Sequence, residues 1–175
     1  MNKLDPSTGN SSAGEDMSGP TIVSSLDALE GWVGRELAVS DWMTIDQARI
    51  QRFAEVTDDL QWIHLDVERC RRESPHKAPI AHGYLVLSLL PAMFTSSVRI
   101  DGLAMAVNYG LDRVRFPAPL IAGKRVRGQL TLERLDRVAG GMQAHWLATV
   151  EAEDGDKPVC VAQLLARYYP ADRQG

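Results

Sequence analysis

Two pairs of residues in this sequence carry groups that could take part in acid–base chemistry. Asp59 and His64 place a carboxylate and an imidazole five positions apart. His82 and Gly83 open an apolar run, and glycine lets the backbone approach a ligand closely. A backbone N–H at a helix start favours negative charge. These groups suit a reaction beside a carbonyl, in which protons move and negative charge develops on oxygen.

The spacing of Asp59 and His64 limits the structure that can bring them together. Five positions along one helix turn the side chains about 140° apart, so a helical pair would diverge. The adjacent residues Asp58 and Asp59 favour a loop after a helix, and a loop would allow convergence. A solvated loop with a capping Asp and an incidental His remains open, as does a plain glycine near an N-cap for Gly83.

Size and composition indicate one domain with its own core. The chain has 175 residues, 45% of them hydrophobic and 24% charged. A net charge of −4 without a long basic run argues against nucleic acid as the main partner. No apolar run reaches the roughly 18–20 residues of a membrane span. Cys70 and Cys160 lie far apart and predict two free thiols, so we expect a cytoplasmic protein.

The N-terminal half predicts a tail followed by helices. Residues 1–24 are rich in Ser, Gly, Asn and Asp, and we expect a disordered tail before a domain at 25–175. Apolar spacing predicts an amphipathic helix over 46–56. Residues 83–97 are apolar nearly all round, which predicts a buried central helix. Pro91 inside this run predicts a kink or a break.

The C-terminal half alternates apolar and polar residues with period two from Met105 onward. Gly140-Gly141 and Asp154-Gly155 mark turns between strands. The pattern predicts an antiparallel meander, hence an α+β fold in which a curled antiparallel sheet wraps around the long apolar central helix. We further expect Ser88 and Asn108 to line a pocket beside that helix.

The motif around the candidate residues resembles the hydratase signature of MaoC-like proteins, and the later segment 108–117 resembles the NodN-like branch of that family. The matching residues are Phe53-Ala54-x-x-Thr57-x-Asp59-x-Gln61-x-Ile63-His64-x-Asp66, followed by Ile80-Ala81-His82-Gly83. The resemblance covers nearly everything from about residue 30 to residue 169. The combined motif is specific, whereas neither half alone would be.

The resemblance implies a hot-dog fold and a lyase of fatty-acid metabolism. The implied reaction is reversible hydration of a trans-2-enoyl thioester to an (R)-3-hydroxyacyl thioester, carried by coenzyme A or acyl carrier protein. It implies Asp59 and His64 as catalytic residues, and Gly83, Gln61 and His82 as oxyanion- or substrate-binding residues. It also implies a homodimer that needs neither metal nor cofactor.

Two departures and three alternatives accompany the resemblance. Asp58 replaces the usual Gly, which adds a charge beside Asp59 and removes a residue suited to positive φ, and Trp62 replaces the usual Pro. A hot-dog thioesterase is one alternative, although residues 83–97 contain no Asp or Glu. A non-catalytic thioester-binding or heteromeric partner subunit is another. A metal site of His64, Asp66 and His82 is a third, but its spacing matches no zinc pattern.

Overall fold

The computed structural model describes residues 19–171, which form one curled antiparallel sheet, a short two-stranded sheet, five α-helices and one 3-10 helix (Asp27–Trp32). The helices are α1 (Gln47–Thr57), α2 (Trp62–Leu65), α3 (Val67–Glu73), α4 (Gly83–Ser88) and α5 (Leu90–Ser97). The strands are β1 (Thr21–Val23), β2 (Arg35–Val39), β3 (Met43–Thr44), β4 (Val98–Ile100), β5 (Leu103–Arg115), β6 (Arg125–Val138), β7 (Gly141–Ala152) and β8 (Cys160–Pro170).

The predicted meander is the main sheet. Its strand order is β2-β6-β7-β8-β5, with β3 also paired to β6, and every pairing is antiparallel. The β6–β7 hairpin closes through Ala139 and Gly140, one residue earlier than predicted, and Gly140 has φ +76°. Alternate residues of β6 and β7 are buried, so one face of the sheet forms the core wall.

The central helix is broken, as Pro91 predicts, but the break lies at Leu89. Pro91 has no N–H and cannot continue the hydrogen-bond ladder, so it occupies the first turn of α5. The helix pair also differs from the prediction of near-complete burial. Its inner side is buried against the sheet, where Phe94 meets Trp146 edge-on at 5.0 Å. Its other side, including Ala92 and Thr95, is exposed.

The predicted tail meets the structure only at its end. Residues 1–18 and 172–175 lie outside the described residues. Residues 21–23 form β1, which pairs in parallel with β4, and Val23 is buried. The predicted boundary at residue 24 therefore falls after a paired strand. None of the helices within residues 19–171 is long and apolar enough to cross a membrane.

Candidate active site

Asp59 lies on a loop because α1 ends just before it. The side chain of Asp46 accepts a hydrogen bond from Arg49 N at 2.7 Å and caps the start of α1. The helix ends at Asp58, whose φ of 57° and ψ of 18° place it in the left-handed region. The sequence prediction of a position suited to positive φ is confirmed. Asp59 follows this turn and is half-buried.

His64 lies on the single helical turn α2 rather than on a loop. His64 N donates to the carbonyl of Gln61 at 3.1 Å, and Gln47 Nε2 donates to the His64 carbonyl at 2.7 Å. These bonds fix the turn beneath α1. Side-chain ligand atoms of Asp59, His64 and His82 lie within 4.8 Å of one another. The predicted convergence of Asp59 and His64 is therefore confirmed. Asp59 lies on a loop and His64 on a helical turn.

The tautomer of His64 follows from its hydrogen bond. Nδ1 lies 2.7 Å from the carbonyl oxygen of Ile80. A carbonyl can only accept, so Nδ1 carries the hydrogen and Nε2 keeps a free lone pair. Burial lowers the pKa of His64 below 6.5, against a raising effect of the Ile80 bond. The charge of His82 lowers this pKa further and Asp59 raises it. His64 is thus a neutral base at pH 7.

His82 is 2% exposed and contacts both members of this pair. Its Nε2 lies 3.0 Å from the carbonyl oxygen of Asp59. Its ring stacks on the His64 ring, with centroids 3.7 Å apart and planes 25° apart. Phe53 meets the same ring at 5.1 Å. The imidazole predicted to bind substrate is therefore packed among protein groups.

Gly83 is the first residue of α4, so its N–H has no acceptor within that helix. The ring of Phe116 lies against its Cα, and a Cβ on residue 83 would come within 2.8 Å of that ring. Tyr84 contacts Phe116 edge-on at 6.0 Å. Glycine is therefore required here by close packing. Sequence reasoning gave no role to Phe116, and no local pattern signals a ring that reaches across from the end of β5.

Gln61 and Gln47 occupy different places around His64. Gln61, predicted to bind substrate, has an exposed side chain and contacts His64 through its backbone carbonyl. Gln47, which sequence reasoning passed over, holds the His64 carbonyl with its side-chain amide. Its signal in the sequence is weak, because a glutamine in the first turn of a helix is common and faces solvent in most cases.

The described residues fit a metal ion poorly. Asp66, one of the predicted candidates, instead caps α3 by accepting from Arg69 N at 2.8 Å. Asp59, His64 and His82 are close enough to share an ion. However, imidazole lone pairs lie in the ring plane, and metal–nitrogen bonds are about 2.0–2.1 Å. Two nearly parallel rings 3.7 Å apart cannot both meet that condition without moving.

A cavity of about 690 Å³ runs beside the central helix pair. It begins at Leu87, four residues after Gly83, and extends along α5 to Val98. Ser88 and Asn108 line it, as predicted. Its remaining walls are mainly apolar side chains of α5, β5 and β8. The cavity could hold a long apolar group.

Known proteins match most of this chain. The profile of the MaoC-like domain family matches residues 29–154. The chain is 41% identical over 145 residues to 3-hydroxyacyl-thioester dehydratase Z of Mycobacterium tuberculosis, covering 82% of this chain and 95% of the relative. It is 44% identical over 154 residues to nodulation protein N of Rhizobium meliloti, covering 85% and 95%.

Solved structures show the same fold. An (R)-hydratase from Pseudomonas aeruginosa in its unliganded form superposes with a TM-score of 0.65 at 22% identity. The superposition covers 79% of this chain and 82% of that chain. The predicted hot-dog arrangement is therefore confirmed as the fold.

The left-handed conformation of Asp58 predicts a stability effect. Residues with a Cβ are strained there, so Asp58→Gly should raise the free energy of unfolding by up to about 1 kcal/mol and the melting temperature by about 2–4 °C. Thermal unfolding measures this. Asp58→Asn, which removes the charge but keeps a Cβ, is the control and should melt near wild type. Equal stabilisation by both variants would contradict the backbone explanation.

Proposed function

The chain belongs to the MaoC-like family, and from this premise we propose that it is a lyase acting on acyl thioesters. The proposed reaction adds water to a trans-2-enoyl thioester and forms an (R)-3-hydroxyacyl thioester, or runs in reverse. The observation that carries the proposal is the convergence of Asp59 and neutral His64 near the start of the central helix. A relative named 3-hydroxyacyl-thioester dehydratase supports it.

The proposed mechanism begins with one water between Asp59 and His64. Side-chain atoms up to 4.8 Å apart leave room for a water hydrogen-bonded to both groups. His64 Nε2 takes a proton from this water while its oxygen bonds to C3 of the enoyl group. The resulting imidazolium then gives that proton to C2, so one water is added in all. The carboxylate of Asp59 orients the water and stabilises the imidazolium.

The backbone N–H of Gly83 takes the complementary role. When hydroxide adds to C3, negative charge moves to the thioester oxygen. The Gly83 N–H has no acceptor within α4 and is free to donate to that oxygen. Donors of this kind contribute about 10²–10³ in rate. Phe116 packs against Gly83 and shields this bond from water on one side.

The apolar cavity supplies the place for the acyl chain. Along α5 the cavity follows eight residues of helix, roughly 12 Å at 1.5 Å per residue. An acyl chain entering beside Gly83 would leave its reactive carbons near the start of the helix and its tail along α5. A cavity of this length supports medium or long acyl chains as substrates. Coenzyme A and acyl carrier protein both remain candidate carriers.

The edge strand β5 supports a homodimer. Within residues 19–171, β5 pairs only with β8, so its other edge is open along thirteen residues. Met105 and Tyr109 are 51% and 53% exposed on it. Open apolar edges are sites of pairing, and two copies can pair antiparallel about a two-fold axis. We propose that a second copy covers β5 and completes the wall of the cavity.

We also propose that the protein is cytoplasmic. Cys70 and Cys160 are both free and buried, as expected in a reducing compartment.

The alternative functions have less support than the hydratase reaction. A thioesterase would use a carboxylate near the central helix, and none occurs between Gly83 and Ser97. A non-catalytic subunit would not require the Asp59–His64 geometry.

Removing either acid–base group should abolish most activity. Asp59→Asn and His64→Ala should each lower kcat about 10²–10⁴-fold on enoyl-coenzyme A substrates. Asp59→Asn removes the charge that stabilises the imidazolium, and His64→Ala removes the proton acceptor. Loss of enoyl absorbance follows the reaction, and chiral analysis should find the (R)-alcohol. Asp66→Asn is the matched control, since Asn also caps helices, and it should keep wild-type activity. Wild type inactive on four-, eight- and sixteen-carbon substrates, carried by coenzyme A or acyl carrier protein, would contradict the proposal.

Chain length should respond to filling the cavity beside α5. Thr95 lines the cavity eight residues beyond Leu87, so Thr95→Trp should lower kcat/KM for a sixteen-carbon enoyl substrate at least tenfold and spare a four-carbon one. Ala92 is exposed on the same helix but does not line the cavity, so Ala92→Trp is the matched control. Equal effects of Thr95→Trp on both chain lengths would place the acyl chain elsewhere.

The open edge predicts the assembly. Wild type should have the mass of a dimer by light scattering at micromolar concentration, and Met105→Asp combined with Tyr109→Asp should shift it to monomer, because charges would be buried at the interface. Val56→Asp is the control, since Val56 is 80% exposed on α1, away from β5. A monomeric wild type without activity would instead favour the heteromeric alternative.

A further inference from the structure

His82 has no part in the proposed proton transfers. Its side chain nevertheless contacts Asp59 and His64, and Gly83 is the next residue in the chain. We propose that His82 is a positioning residue that fixes Asp59, His64 and Gly83 relative to one another. This inference rests on the proposed function, because the proposed function assigns the roles of those three groups. Two contacts of the buried side chain and one link through the backbone support it.

The first contact fixes the loop that carries Asp59. His82 Nε2 lies 3.0 Å from the Asp59 carbonyl oxygen, across 23 residues of sequence. The carbonyl accepts, so Nε2 carries the hydrogen. Nδ1 is buried and has no partner among the described residues. The bond holds the backbone of Asp59 where the chain leaves the left-handed turn at Asp58.

The second contact fixes the plane of the His64 ring. Ile80 holds Nδ1 of His64 at one edge, and the His82 ring covers one face at 3.7 Å. The titratable groups that act on His64 are His82 and Asp59, in opposite directions. A positive charge on His82 repels a proton on His64 and lowers the pKa of His64, in addition to the larger effect of burial. The stack therefore also helps to keep His64 in its basic form.

The third contact is through the backbone. His82 is the N-cap of α4, with φ −61° and ψ 135°, and its carbonyl accepts from Val86 N at 3.3 Å. The next N–H in the chain is that of Gly83. Because the side chain of His82 is bonded to the Asp59 loop, the same residue ties the direction of the Gly83 N–H to the position of the acid–base pair. Small misplacements of such groups cost on the order of 10²-fold in rate.

Two substitutions separate the hydrogen bond from the charge. His82→Gln keeps an N–H donor that can reach the Asp59 carbonyl but cannot become charged. His82→Leu replaces the imidazole with an apolar side chain and removes the donor. With a saturating enoyl-coenzyme A, His82→Leu should lower kcat on the order of 10²-fold with little change in KM. His82→Gln should restore kcat to within a few-fold of wild type.

The pH response should differ from the rate response. Without the imidazole, repulsion by His82 is absent in both variants, so the pKa of His64 should rise in both. The acid side of the kcat/KM profile should therefore move to higher pH in His82→Gln as well as in His82→Leu. Nitrogen-15 NMR titration of His64 measures the same shift without any substrate. It separates failure of this inference from failure of the proposed activity.

The outcomes decide the proposal. A His82→Leu protein that melts near wild type and keeps wild-type kcat would overturn it, as would a His82→Gln protein as slow as His82→Leu. If His82→Leu does not fold, wild type still provides a test. Nitrogen-15 shifts should show a hydrogen on Nε2 of His82, and a hydrogen on Nδ1 alone would exclude the bond to Asp59.

Discussion

The site depends on one residue, Ile80, that joins two parts of the chain by its backbone. Its N–H donates to the Ile63 carbonyl at 3.1 Å, and its carbonyl accepts from Nδ1 of His64 at 2.7 Å. The next residue, Ala81, donates to Leu120 at 2.7 Å, which anchors this segment to the sheet side of the molecule. The turn that carries His64 is thereby fixed to the segment that leads into Gly83. Backbone hydrogen bonds of this kind do not depend on which side chains are present. They therefore fix the backbone positions from which the side chains of the site act.

These backbone positions determine the acid–base properties of His64. His64 is placed where burial lowers its pKa, and the Ile80 carbonyl decides which nitrogen keeps its lone pair. Asp59, on a half-buried loop, faces the same space and partly offsets the cost of a charge on His64. The apolar cavity begins one turn further along the helix. The arrangement places a proton acceptor and a carboxylate close together, and the helix that Gly83 begins continues to Leu87 in the cavity wall.

Local chemistry in the sequence predicted much of this. The run of Asp58 and Asp59 predicted the end of α1, and the alternation from Met105 predicted the main sheet, because both signals are short-range. A break in the central helix was predicted from Pro91, but its position at Leu89 was not. The strand formed by residues 21–23 and the exposed outer side of α5 were not predicted either. Each of these depends on what the rest of the chain packs against, and that information is not local.

The same distinction applies within the site. The spacing of Asp59 and His64 allowed convergence only outside a single helix, and the motif predicted that they converge. The stacking of His82 on His64 and the packing of Phe116 on Gly83 join residues 18 and 33 positions apart in the sequence. No pattern of residue types specifies such contacts, since His82 could as well have turned its ring into the cavity. The structure shows a buried ring where the sequence predicted a substrate contact.

The most direct test of the account is the protonation state of His64 in the wild-type protein, because the proposed chemistry requires a free Nε2 lone pair. Long-range proton–nitrogen NMR at several pH values measures it. The account predicts a neutral ring at pH 7 with its hydrogen on Nδ1, and a pKa below 6.5. A hydrogen on Nε2 in the neutral ring, or a ring that is charged at pH 7, would contradict it.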